Sequence, residues 1–243
     1  MLKVVKIGGN IVDNPEKLDS FISDFSRLEG RKILIHGGGK VATTISNALG
    51  IGTQMIDGRR VTDEQTLRVV TMVYAGVVNK TIVSKLNAAG NMAVGLSGAD
   101  GNFIVSQRRS PEPVDYGFVG DPVSVNTSLA MMLAGAGYTV VAAPITTDGK
   151  GTLLNTNADT VAQTIAVAMA EHDEVELVYC FEKKGVLRDV NDDDSLITSI
   201  DPASFAELNA RGIVADGLLP KLENAFKAIG NGVVTFRGWG KGA

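Results

Sequence analysis

The chain has 243 residues, 44% apolar, 21% charged and 5% aromatic, with a formal net charge of −4 at pH 7. That suffices for a buried core in one large or two smaller domains, while net acidity and few aromatic rings exclude a surface built for nucleic-acid phosphates and bases. One cysteine, Cys180, excludes an intramolecular disulfide framework, and with two histidines a zinc site would need several carboxylates besides.

Val4 to Ile7 is a short β-branched strand running into Lys6-Ile7-Gly8-Gly9, and Ile33 to Ile35 is a second, ending in His36-Gly37-Gly38-Gly39. Consecutive glycines after a strand leave backbone N–H groups unshielded, so phosphate or carboxylate oxygens can approach where a Cβ would hold them away. Gly52 to Val61 reads as a hairpin. Thr62 is the expected cap of a long helix, with Gln65 completing a capping box, and the helix continues to about Ala88 before Gly90 ends it. Its apolar residues exceed one stripe: Leu67, Val70, Tyr74, Val77 and Val78 lie on one side, and Val69, Met72, Val73, Val83 and Leu86 on others. Burial on two sides is therefore expected.

Ala93 to Leu96 is a strand, Asn102 to Val125 a second hairpin, and Thr139 to Ala143 a further strand. Asn155-Thr156-Asn157-Ala158-Asp159 forms a third anion-receiving turn that opens a helix. Polar Glu171-His172-Asp173-Glu174 is the expected junction between two lobes, before the strands Glu176 to Cys180 and Val233 to Phe236. Asp189 to Asp194 lacks the glycine and closing glutamate of a calcium loop and reads as a solvated acidic loop. Alternating strands and helices make the class α/β, a mainly parallel sheet covered on both faces with the hairpins as flaps over one end. A first strand starting at about residue 3 leaves no room for a leader, and no unbroken apolar run reaches the roughly 20 residues that span a bilayer. The cytoplasm is the expected location.

Gly37-x-Gly39-x-x-Ala42 has the spacing of a dinucleotide fingerprint, but Asp57, about 20 residues on, falls in a Gly-flanked hairpin instead of ending a second parallel strand. Taken alone, the triple glycine fits a tight turn without a ligand as well as an anion site. Lys6 discriminates further, since a lysine near the end of a buried strand is costly unless its ammonium reaches water or an anion. Pro220 suits the first position of a helix and puts Lys221 in its first turn, where a cation opposes the helix dipole unless an anion lies nearby. Asp159, early in its helix, is favourable for the dipole alone.

Six motifs occur in order: Lys6-x-Gly8-Gly9, His36-Gly37-Gly38-Gly39, Gly58-x-Arg60-Val61-Thr62, Gly95-Leu96-Ser97-Gly98-x-Asp100-Gly101, Asn155-x-Asn157-Ala158-Asp159 and Asp216-Gly217-x-x-x-Lys221. Together they resemble the N-acetylglutamate kinases of the amino acid kinase superfamily, from residue 3 to about 234. The resemblance implies a three-layer α/β sandwich around a mainly parallel open sheet with a hairpin lid. Residues 1–172 would bind the acyl amino acid and carry a homodimer contact, and 173–243 would bind ATP. The implied reaction moves the γ-phosphoryl group of ATP onto the side-chain carboxylate of N-acetyl- or N-succinyl-glutamate, a step of arginine biosynthesis.

By the same resemblance Lys6 and Lys221 would be cations flanking the moving phosphoryl, Asp159 would hold both lysines, and Gly8, Gly9 and Gly38 would donate N–H groups to it. Arg60 and Asn155 would hold the α-carboxylate end of the substrate, with Gly38 and Gly39 lining its pocket. ATP, bringing Mg²⁺ on its phosphates and requiring no protein metal ligand, would lie against Phe181, Lys183, Lys184, Gly185, Val186, Gly212 and Asp216. The family's arginine-inhibited hexamers carry a helix before the first strand. Only Met1 and Leu2 precede Lys3 here, so a dimer without arginine feedback is expected. The ending Arg237 to Ala243 departs from the family's usual closing strand, which keeps open a second reading, a catalytically silent acyl-glutamate-binding protein.

Overall fold

The computed structural model describes residues 1–56, 58–180, 192, 195 and 219–239, with backbone alone for 219–224 and 236–239. Its centre is a sheet of six parallel strands in the order β12-β11-β1-β2-β8-β5, with β1 at Leu2–Ile7, β2 at Arg31–His36, β5 at Ala93–Leu96, β8 at Thr139–Ala142, β11 at Val175–Cys180 and β12 at Thr235–Trp239. Continuous apolar runs such as Ile33-Leu34-Ile35 suit strands covered on both faces. The period of two divides them. Val5, Ile7, Leu34, Val141 and Val178 pack on one side with Leu18, Phe21, Ile22 and Phe25 of α2 (Pro15–Ser26). Val4, Ile33, Ile35, Val140 and Leu177 pack on the other with Val161, Ala162, Ile165 and Met169 of α6 (Ala158–Ala170). Two helical layers thus enclose the sheet, the expected three-layer sandwich.

The central helix of the first layer, α4, runs over Glu64–Ala88 and is 25 residues long. By length and composition it could cross a bilayer, although its apolar residues are interrupted by polar ones. Its Val69, Val70, Val73, Tyr74, Val78, Ile82 and Leu86 instead join the core. Its cap differs from expectation: Asp63, not Thr62, precedes the first turn and accepts from the Thr66 N–H at 2.7 Å. Thr62 is engaged elsewhere, its N–H donating to the Tyr116 carbonyl at 2.9 Å and its carbonyl accepting from the Phe118 N–H at 2.7 Å. Between two α-helical halves, Met72–Val78 is wound as a π-helix.

Both expected hairpins form. One is β3 (Met55–Ile56) with β4 (Arg59–Arg60). The other, β6 (Ile104–Arg108) with β7 (Gly120–Val125), extends through β9 (Ile145–Thr147) and β10 (Leu153–Asn155) into a four-stranded sheet. The remaining α-helices among the described residues are α1 (Gly9–Val12), α3 (Gly39–Ala48), α5 (Thr127–Gly135) and α7 (Leu219–Gly230). The last strand begins at Thr235, two residues later than its apolar run, after Val233 turns into the core.

Candidate active site

The strand order sets the carboxyl ends of β1 and β2 side by side, the edge at which open α/β sheets bind ligands. The glycine turns that follow them touch, since a Cβ on Gly37 would lie 3.7 Å from the Gly9 nitrogen. Gly38 is glycine for structural reasons: its φ is +154°, and a Cβ there would press on Tyr74 at 3.1 Å and Val78 at 3.3 Å. Gly8 and Gly39 are different. Neither has a positive φ, and a Cβ on either would meet nothing within 4 Å among the described residues. Strain and packing leave these glycines unexplained, whereas an oxyanion approaching the backbone uses the room that a Cβ would occupy.

Lys6 is 6% exposed, one residue before the end of β1, and its ammonium meets Asp159 Oδ1 at 2.7 Å. Asn157 positions the aspartate by capping α6, its side chain accepting from the N–H groups of Asp159 at 2.8 Å and Thr160 at 3.1 Å. Asp159 therefore sits in the first helical turn, where the dipole also favours it. The Tyr179 hydroxyl donates to the Asp159 carbonyl at 3.2 Å, and burial, reinforced by the Asp159 charge, pushes its phenol up. Burial pushes the neighbouring Cys180 thiol up to about 12 against the pull of Lys6, which makes it a poor nucleophile at neutral pH.

Arg60, 8% exposed, is held from α3, donating from Nη2 to the Gly39 carbonyl at 3.0 Å and Thr43 Oγ1 at 2.9 Å. Its Nη1 donates to Thr53 Oγ1 at 3.2 Å. Asn155 ends β10 and donates from Nδ2 to Thr62 Oγ1 at 3.0 Å, and that hydroxyl donates to the Arg60 carbonyl at 3.1 Å. One linked arc results, from Asn155 through Thr62 and Arg60 to the Gly39 turn. Because each Arg60 contact is a donor to a neutral oxygen, its positive charge stays uncompensated by these partners and available to an anion.

The structure thus brings Lys6 to Asp159, Gly9 to Gly37, and Arg60 to Gly39, with Asn155 linked to the Arg60 carbonyl through the Thr62 hydroxyl. Lys221 follows Pro220 in the first turn of α7, as expected, and its side chain lies outside the described residues. Phe181, Lys183, Lys184, Gly185, Val186, Gly212, Asp216 and Asp57 lie outside them too.

Two neighbours carry no sequence signal. Asp13, after α1, sits against Gly9, and its carboxyl is raised by burial against the opposing influence of Lys40 and the Val41 N–H. Tyr74 packs on Gly38, its phenol raised by burial with Arg60 opposing. The Gly95 to Gly101 run, by contrast, is architectural. A Cβ on Gly98 would fall 2.5 Å from Thr146 Cα, and the Asp100 carboxylate ties the turn by accepting from the Ser97 N–H at 2.6 Å and hydroxyl at 2.7 Å.

A parallel α/β sandwich that converges glycine turns, a buried lysine and an arginine at one sheet end belongs to the class of anion-handling α/β proteins, and this arrangement suits phosphoryl groups. The chain belongs to the amino acid kinase family, whose model matches residues 1–237. It is 54% identical over 233 residues to the acetylglutamate kinase of Cytophaga hutchinsonii, covering 96% of this chain and 88% of that one. It is 40% identical to that of Methanopyrus kandleri, covering 94% and 90%. Among solved structures, N-acetylglutamate synthase from Neisseria gonorrhoeae, complexed with coenzyme A and N-acetyl-glutamate, superposes with a TM-score of 0.81 at 23% identity. The alignment covers 98% of this chain and 54% of the synthase, a likeness of fold. Carbamate kinase from Giardia lamblia bound to AMP-PNP follows at a TM-score of 0.66 and 12% identity, covering 97% and 91%.

Proposed function

We propose that the chain transfers the γ-phosphoryl group of ATP to the side-chain carboxylate of N-acetyl-L-glutamate, forming an acyl phosphate and ADP in arginine biosynthesis. The observation that carries this reading is the buried Lys6–Asp159 pair beside open glycine turns, in a chain 54% identical to an acetylglutamate kinase. The acceptor carboxylate has a reference pKa of about 4.3 and is ionised at neutral pH, so no general base is needed. The obstacle is charge: two anions must meet in line. Catalysis is then positioning plus cations and N–H donors aimed at the transferring oxygens.

In this reading Lys6 and Lys221 neutralise charge on the moving phosphoryl, and Asp159 holds Lys6 in place and Lys221 with it. Gly8, Gly9 and Gly38 supply N–H groups. Arg60 clamps the substrate α-carboxylate, Asn155 bonds the same end, and Gly38 and Gly39 line the pocket beneath the two hairpins. ATP lies on the part formed by residues 173–243, against Phe181 to Val186 and Gly212 to Asp216. Mg²⁺ enters on the ATP phosphates, where it supplies further charge neutralisation. The cytoplasm is the proposed setting.

ADP release measured with N-acetylglutamate, N-succinylglutamate, aspartate and glutamate tests the function and selects the acyl group. Turnover only with N-acetylglutamate supports the reading. Saturable N-acetylglutamate binding without ADP release replaces it with a silent binding protein.

Arg60→Lys is expected to weaken N-acetylglutamate about tenfold or more, because a point charge does not reproduce a planar fork, while ATP affinity stays nearly unchanged. Titration calorimetry of both ligands checks this, and equal weakening of the two removes Arg60 from the acyl-amino-acid pocket.

The α4 helix is apolar beyond its core face, with Met72 55% and Val77 58% exposed. We assign this second face to an isologous contact with another copy of the chain, the helices crossing at a two-fold axis. Light scattering is expected to give twice the 25.5 kDa chain mass, and Val77→Glu to give the single mass. A wild-type monomer would refute the contact.

A further inference from the structure

His36 is the last residue of β2, stands directly before the triple glycine, is fully buried, and has no part in the mechanism above. Its Nδ1 lies 2.8 Å from the Gly37 carbonyl oxygen and its Nε2 3.1 Å from the Asn79 side-chain nitrogen. A carbonyl only accepts, so Nδ1 carries the proton, and Nε2 accepts from the Asn79 amide. Asn79 also donates to the Val141 carbonyl of β8 at 2.9 Å. Its Oδ1 accepts from Lys80 Nζ at 3.1 Å, which in turn donates to the Gly95 carbonyl at 3.1 Å. Both ring nitrogens are engaged, and the tautomer is determined. Burial, with the Lys80 charge adding to it and the Gly37 hydrogen bond opposing, pulls the imidazole pKa down to about 4, so the ring is neutral at physiological pH.

The consequence falls on the Gly37–Gly38 peptide. In a trans peptide the C=O and N–H point to opposite sides. Drawing the Gly37 carbonyl onto the buried imidazole turns the Gly38 N–H away from the sheet interior. Three residues of α4 border this arrangement: Tyr74 and Val78 stand where a Cβ on Gly38 would fall, and Asn79 holds the ring. Tyr74 and Val78 lie in the π-helical turns, and Asn79 follows them directly. Such local widening recurs where a helix must present side chains to a functional loop.

We propose that His36 is a positioning residue for phosphoryl transfer, locking the Gly37–Gly38 peptide so that the Gly38 N–H donates to the transferring phosphoryl oxygen, while Asn79 maintains the tautomer. The proposal rests on the kinase reading and adds the alignment of one oxyanion donor to it. It predicts a transition-state effect, read in kcat, because the donor is required most where charge develops.

His36→Phe retains an aromatic ring without the donor, and kcat is expected to fall about 100-fold with KM for both substrates within about threefold. His36→Asn, whose amide nitrogen can stand near the Nδ1 position, is expected to recover kcat to within about tenfold of wild type. A ring that merely filled space predicts the reverse order, with Phe nearly normal and the smaller Asn no better. Rates are referred to folded enzyme, by circular dichroism and melting temperature. His36→Phe retaining more than roughly a third of wild-type kcat, or His36→Asn no faster than His36→Phe, overturns the proposal. Should His36→Phe not fold, Asn79→Ala decides: a fall in kcat of about tenfold supports the lock, and an unchanged kcat overturns it. Wild-type protein without ADP release removes the kinase reading and this proposal together, whereas active wild type with an insensitive His36 removes the positioning role alone.

Discussion

Lys6→Ala and Lys221→Ala are each expected to lower kcat by about 100-fold or more while KM for ATP and N-acetylglutamate changes far less. The reason is differential: a cation beside a transferring phosphoryl group matters most when charge is spread over its equatorial oxygens, and less in the ground state. Lys6 carries a second consequence. Its removal leaves the Asp159 carboxylate without the ammonium 2.7 Å away, at a position where that side chain is only 13% exposed. Breaking a buried pair from one side destabilises, so Lys6→Ala should also melt early, with Lys221, which Asp159 holds too in the proposed mechanism, limiting the loss. The double variant Lys6→Ala with Asp159→Asn removes the carboxylate charge together with the ammonium and should regain part of that stability without regaining rate. Steady-state kinetics with thermal melts on all three proteins separate the two effects. If either single variant keeps more than about half of wild-type kcat, its lysine does not serve the transferring phosphoryl.

Glycine substitutions should divide just as sharply, for reasons visible only in the fold. Gly98→Ala is expected to destabilise by about 3 kcal/mol, a fall of roughly 6–12 °C in Tm. The new Cβ would lie 2.5 Å from Thr146 Cα, 2.6 Å from the Ile104 carbonyl oxygen and 3.0 Å from that of Ile145. All three are backbone atoms, so no side chain can swing aside. Gly8→Ala should do the opposite, because among the described residues nothing lies within 4 Å of the added Cβ and the φ of Gly8 is −75°. Stability should change by less than about 0.5 kcal/mol, while the added methyl occupies space proposed for phosphate oxygens and lowers kcat. Chemical denaturation and initial rates test the pair. A Gly8→Ala enzyme of normal activity would show that the first turn holds no phosphate.

How far the sequence alone reaches depends on the range of the interaction concerned. The strands at Ile33 to Ile35 and Ala93 to Leu96 were readable because β-branched and apolar runs bounded by turn residues are a local signal. The two glycine turns and the buried lysine of β1 were readable for the same reason, since glycine and lysine conflict locally with a strand and need an explanation. The cap of α4 lies one residue beyond the one that the sequence suggests. Thr62 and Asp63 are both good caps, and the choice was made by Tyr116 and Phe118, which draw the Thr62 backbone into a bridge.

Sequence by itself therefore determined the class of fold, the order of the elements, and which residues conflict with their local setting, Lys6 and the glycine turns, while Arg60 and Asp159 stood out only through the family resemblance. Tertiary structure alone decided their companions. Asn155 reaches Thr62 across 93 positions, and His36 reaches Asn79 across 43. It also decided that Gly98 is a packing glycine and Gly8 an open one, although both stand in glycine-containing motifs. The physical reason is that residue type and periodicity record what a segment does to its own backbone. The room in front of a glycine, the partner of a buried amide and the tautomer of a buried imidazole are set by atoms brought in from other elements, and exist only once the sheet and its two helical layers have closed.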